Sequence, residues 1–179
     1  MVIRTHRTDA SISEAVYSTC ERYRYSLTRS WDAKARRLLF IMLNPSKATE
    51  LANDPTVERC ERRARRLGYG AFRVANLFAL RETSPAHLKR ASHPNGPDND
   101  AQLQTALDWT DDVLCAWGVH GSHLARDLDV FPIIEASGKP ACTLGVTKDG
   151  HPRHPLYVAY ATSPETWDIG TADRWLDSM

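Results

Sequence analysis

Short apolar runs alternate along this chain with stretches in which apolar residues recur every three or four positions. Residues 38–43, LLFIML, are continuously apolar and end at Asn44-Pro45-Ser46. A short run without polar alternation predicts a strand buried on both faces, as in a parallel sheet. Residues 71–78 (AFRVANLF), 112–117 (DVLCAW) and 140–145 (PACTLG) predict three more strands, ending near Asn76, Gly118 and Gly145. Between the first two runs, Asp54-Pro55-Thr56 supplies an N-cap and a proline at the first helical position. The helix is expected to reach Leu67 and stop at Gly68, with Val57, Cys60, Ala64 and Leu67 on its apolar face. Arg59, Arg62, Arg63 and Arg66 occupy its other side.

Further helices are predicted after Thr83-Ser84-Pro85, from Asp100 to Trp109, and from Gly121-Ser122 with an interruption near Pro132. Another is predicted at Thr171–Asp177. The segments SHPNGPDN (92–99) and TKDGHPRHPLY (147–157) are loops by their turn residues. Residues 15–31 alternate in places, Tyr23 and Tyr25 on one parity and Arg22 and Arg24 on the other. They predict a strand within an N-terminal hairpin. Strands alternating with helices predict a three-layer α/β/α sandwich with a mainly parallel central sheet. One domain is expected over residues 1–179, with the hairpin at 15–31, the core at 36–158 and a tail at 159–179.

Composition narrows the class without naming a partner. With 23 basic and 22 acidic residues, net charge is +1, so no overall field selects nucleic acid or membrane. The start, MVIRTHRTDASISEA, has no apolar signal core, and no run reaches the ~18 apolar residues of a membrane span. Cys20, Cys60, Cys115 and Cys142 are scattered, which fits reduced thiols in a cytoplasmic protein. Neither they nor the histidines show zinc-site spacing, so neither metal nor cofactor is expected. There is no phosphate-binding GxxxxGK[ST], no dinucleotide GxGxxG and no GxSxG elbow.

Ligands of α/β sheets collect outside the carboxyl ends of the strands. Four segments carry polar groups there: Asn44-Pro45-Ser46, Asn76, Trp117-Gly118 and the stretch around His154. Asn44 is either a turn residue or an amide that holds a water or reads a base edge. Asp54 is either a helix cap or a carboxylate acting as a base or as a ligand to a cation. His154, with Lys148 and Arg153 nearby, suits a polar pocket that receives an anion. Trp117 is either core or a stacking surface for a base. The arginine stripe is either a solvated helix face or a track for a nucleic-acid backbone.

The segments RYRYSLTRSW, FIMLNPSKA, NDPT, NLFALR, AWGVHG and LGVTKDGHPRHPLY resemble the family catalogued as domain of unknown function 1643. The order strand-Asn-Pro, strand-Asn-Leu, strand-Trp-Gly, His-Pro also resembles the uracil-DNA glycosylase superfamily. That second resemblance implies a glycosylase-like sandwich in which Asn44 positions a water and His154 stabilises a departing base. It also implies a nucleobase, nucleotide or nucleic acid as partner. Two positions depart from it: Met42-Leu43 stands where a glycine precedes the Asn, and Leu156 replaces the serine of the last motif. The expectation is a nucleobase- or nucleotide-binding protein with N-glycosidase chemistry. The alternatives are a non-catalytic binding module on the same fold and an enzyme acting on a small phosphorylated nucleotide.

Overall fold

The computed structural model describes residues 1–169. The helix expected at residues 171–177 lies outside them. Among the described residues eight strands form one sheet: β1 (Val2–Arg7), β2 (Ile12–Tyr17), β3 (Arg24–Ser30), β4 (Arg37–Met42), β5 (Ala71–Asn76), β6 (Asp112–Cys115), β7 (Ala141–Thr143) and β8 (Glu165–Thr166), in spatial order 1-2-3-5-4-6-7-8. The four apolar runs become β5, β4, β6 and β7, which are mutually parallel neighbours.

The sheet as a whole is mixed rather than mainly parallel. Among the described residues, its parallel pairings number three and its antiparallel pairings four. The segment read as one strand over 15–31 is broken at 18–23, where Ser18 N–H donates to Tyr23 O and Glu21 takes a left-handed φ of 55°. Across that break β2 and β3 pair antiparallel as the expected N-terminal hairpin, and β3 is the arm that meets the rest of the sheet. It hydrogen-bonds antiparallel to β5 and draws β1 and β2 into the sheet. On the other edge β8 pairs antiparallel with β7.

Among the described residues four α-helices accompany the sheet: α1 (Pro55–Arg66), α2 (Pro85–Arg90), α3 (Asn99–Trp109) and α4 (Arg126–Ala136). The two-residue period of β4 explains where three of them go. Leu38, Phe40 and Met42 point to one face and pack with Val57, Cys60 and Ala64 of α1. Leu39 and Ile41 point to the other and pack with Leu103 and Leu107 of α3 and Val130 and Ile134 of α4. A continuously apolar strand is thus covered twice, as its sequence requires. The arrangement also creates a switch point. From β4 the chain crosses by α1 to β5 on one side, then returns by α3 to β6 on the other. The two crossovers lie on opposite faces, so a crevice opens at the carboxyl end of β4.

Candidate functional site

A cavity of about 600 Å³ occupies that crevice. The strand ends that build it are held in register. Leu77 N–H donates to Met42 O at 2.8 Å, Phe78 N–H to Leu43 O at 2.9 Å, and Ala116 N–H to Ile41 O at 2.8 Å. Asn44, Ser46, Asp54, Asn76, Trp117, Gly118, Arg153 and His154 all line this one cavity, together with apolar Leu43, Val57, Val119 and Leu156.

Asn44 is fixed by its own amide. Nδ2 faces the carbonyl oxygens of Glu82 at 2.7 Å, Pro45 at 3.0 Å and Leu80 at 3.4 Å. Three acceptors around one atom establish it as the nitrogen. The donor end therefore ties the loop after β4 to the loop after β5. Oδ1, with no partner among the described residues, remains as an acceptor. Pro45 is buried and belongs to this clamp: its carbonyl takes both the Asn44 amide and Glu82 N–H at 2.9 Å.

His154 caps a short 3-10 turn, Pro155–Tyr157, with Nδ1 accepting Leu156 N–H at 3.3 Å. Burial lowers its pKa to about 4, against a smaller opposing pull from the Asp54 carboxylate. The ring is accordingly neutral at pH 7. With Nδ1 accepting, its single proton sits on Nε2, which makes that atom a hydrogen-bond donor.

The loop bearing His154 is held by the arginines of α1. Arg59 donates to Pro155 O at 3.1 Å and to Val158 O at 2.9 Å. Arg63, 2% exposed, donates to Thr162 O at 2.7 Å, Ala159 O at 2.9 Å and Val158 O at 3.3 Å. Both guanidiniums also lie over the Tyr160 ring. Arg62 turns outward and pairs with Glu58 at 2.7 Å, and Arg66 is exposed. The stripe is thus not uniformly solvated. Two of its members are structural clamps on the site.

Asp54 does what its sequence context predicts as a cap, since Oδ1 accepts Val57 N–H at 2.9 Å. Its Oδ2 accepts Ala48 N–H at 3.2 Å, and the carboxylate still borders the cavity. Asn76 is 1% exposed, and its Nδ2 is a buried donor without a partner among the described residues. Trp117 is 2% exposed and packs on Phe131 and Trp167, so it is chiefly core, yet one side of it closes the cavity. Gly118 turns through φ 73°, which a side chain would resist. Arg153 reaches the cavity while its Nε donates to Val146 O at 3.0 Å. Lys148 does not reach it. That side chain borders a separate cavity of about 320 Å³ behind Trp117, with Asp127 and His151.

Sequence reading missed two lining residues of consequence. Arg24, on β3, is 2% exposed and borders the cavity. Tyr157 is 83% exposed beside His154, with ring centroids 5.8 Å apart. Parity along 15–31 placed Arg24 opposite the tyrosines, but nothing in the sequence indicated that β3 joins β5 and carries that face inward.

A family model described as "Protein of unknown function (DUF1643)" matches residues 24–156. No curated protein and no solved structure matches the chain.

Proposed function

The chain belongs to the DUF1643 family, and we propose that its cavity at the switch point binds a nucleobase or nucleotide. One observation carries this reading. Asn44, whose Oδ1 is left as an acceptor, and His154, whose Nε2–H is left as a donor, line a single cavity with apolar walls. Nucleobase edges present donors and acceptors side by side on a flat apolar ring, and Tyr157 offers a stacking face at the mouth. Occupation of Arg59 and Arg63 by backbone carbonyls favours a small ligand over duplex DNA, because backbone tracking requires free cations.

The same groups suit hydrolysis of a base–sugar bond. Water held by Asn44 Oδ1 would add to the anomeric carbon as the carbon–nitrogen bond breaks. The bonding pair would leave on the base, and His154 Nε2–H would donate to that developing anion. The proton lost by the water would pass to Asp54 or to solvent. A neutral histidine donates to an anion without first having to be protonated, which makes this step insensitive to pH near neutrality.

The test is calorimetric titration with nucleobases, nucleosides and nucleotides, paired with chromatographic detection of free base. At least one compound should bind, and His154→Asn, which keeps a capping side chain, should weaken it about tenfold or more. Base release would establish the hydrolase. Binding without release from any nucleoside, or from uracil- or hypoxanthine-containing DNA, would make the protein a binding module. Absence of binding by every compound would refute the reading.

A further inference from the structure

We infer that the ligand of this cavity carries an anionic group, a phosphate monoester or a carboxylate, and that Arg24 is its anchor. The inference rests on the nucleobase reading only for the remainder of the ligand. Arg24 is a buried cation with unfinished hydrogen bonding. Its Nη1 donates to Ala48 O, but Nε is buried without a partner, and Nη2 donates to nothing among the described residues. No ion pair among the described residues includes it. Buried arginines elsewhere in this chain are better supplied. Arg63 meets three carbonyls, and Arg126 meets Leu77 O, Asp100 and Asp129.

Burial depresses the Arg24 pKa only to about 10, so the group is still cationic at pH 7. Its electrostatic neighbours are Tyr17 and Asp54, which favour the charge, and Arg81 and Arg29, which oppose it. Arg81 donates to Glu21 O, and Arg29 to Thr49 O and the Asn53 side chain. A buried charge without a direct ion pair is stabilised strongly by an opposite one brought to it. Because Arg24 lines the cavity, a ligand can deliver that charge with the planar geometry of a carboxylate or phosphate. The Asp54 carboxylate limits how much negative charge the cavity accepts, which favours one compact anionic group over a polyphosphate.

The experiment compares nucleosides, their 5′-monophosphates and their 5′-carboxylates by calorimetry, with inorganic phosphate and acetate as anion-only probes. A monophosphate or carboxylate should bind the wild-type protein about 30-fold tighter than the matching nucleoside. Which of the two is preferred identifies the anion. Arg24→Met should bring that ratio close to one while changing nucleoside affinity little. Arg24→Lys, which keeps the charge without the planar fork, should retain part of the preference, and it decides the matter if Arg24→Met fails to fold. Equal binding of nucleoside and anion in the wild type overturns the inference but leaves the nucleobase reading standing. Preference that persists in folded Arg24→Met, or undiminished in Arg24→Lys, also overturns it. Binding of phosphate or acetate alone, lost on substitution of Arg24, supports the anchor and refutes the nucleobase reading instead.

Discussion

Substituting Asn44 by Asp separates a clamp from a water holder. The change is isosteric, and in a residue that only positions water the two side chains serve alike. Here Nδ2 faces three carbonyl oxygens, at 2.7, 3.0 and 3.4 Å. Its two hydrogens can satisfy two of them well, and the 3.4 Å contact to Leu80 O is the weakest. Pro45 O retains Glu82 N–H as a donor, so the loss falls mainly on Glu82 O. Asn44→Ala should therefore cost about 1–2 kcal/mol. Asn44→Asp adds a carboxylate facing carbonyls and should cost about 3 kcal/mol at pH 7. For a chain of this size that is a fall of roughly 6–12 °C in Tm.

The pH dependence provides an internal control. The substituted carboxyl would have its pKa raised in the folded state, so the folded state would bind more protons than the unfolded one. Stability of Asn44→Asp should then decline as pH rises above ~4, the unfolded value. Urea denaturation of wild type, Asn44→Ala and Asn44→Asp between pH 4 and pH 7 measures this. An Asn44→Asp variant within about 0.5 kcal/mol of wild type at pH 7 would refute the clamp, and with it the assignment of Oδ1 as the free acceptor.

Other consequences follow from the same geometry. His154 is held down to about 4 in the fold, against about 6.5 unfolded, so the unfolded state binds the extra proton between those values. Its contribution, up to about 3 kcal/mol, should be present above pH 6.5 and lost as pH falls toward 4. His154→Asn should flatten that slope in urea denaturation, and an unchanged slope would contradict it. At Gly121 an added Cβ would lie 2.1 Å from Trp117 Cδ1 and 2.6 Å from its Nε1. Gly121→Ala should thus destabilise the fold by about 1–3 kcal/mol and alter tryptophan fluorescence, and a neutral result would count against this packing. Arg63→Met should raise amide exchange in residues 158–162, whereas Arg62→Met should leave it unchanged. Equal effects would dissolve the distinction between clamp and surface arginine.

Much of the central architecture was legible because each parallel strand is a short apolar run that ends in a polar turn. The start of α1 could be placed from Asp54-Pro55, where cap and proline chemistry are local. Of the antiparallel additions, the β2–β3 hairpin could be foreseen from its alternation, but the outer strands could not. β1, VIRTHR, is almost wholly exposed, and β8 is two residues long, so neither carries a burial pattern. Positions 59 and 63 show a further limit. Periodicity grouped their arginines with 62 and 66, yet long side chains at the border of an apolar stripe can turn inward and meet carbonyls. Only the path of residues 155–162 decides which do so. Arg24 was invisible for a related reason, since its burial depends on β3 pairing with β5, a contact remote in sequence.

The most direct test of the nucleobase-binding claim is nitrogen-detected NMR of the histidine side chains during titration with nucleosides and 5′-monophosphates. At pH 7 the His154 ring should begin as the neutral tautomer protonated on Nε2. Ligand should shift the Nε2 resonance of His154 and the side-chain amide of Asn44 together, saturating with one binding constant. No perturbation at millimolar ligand, or shifts confined to His151 and Lys148 in the second cavity, would contradict it.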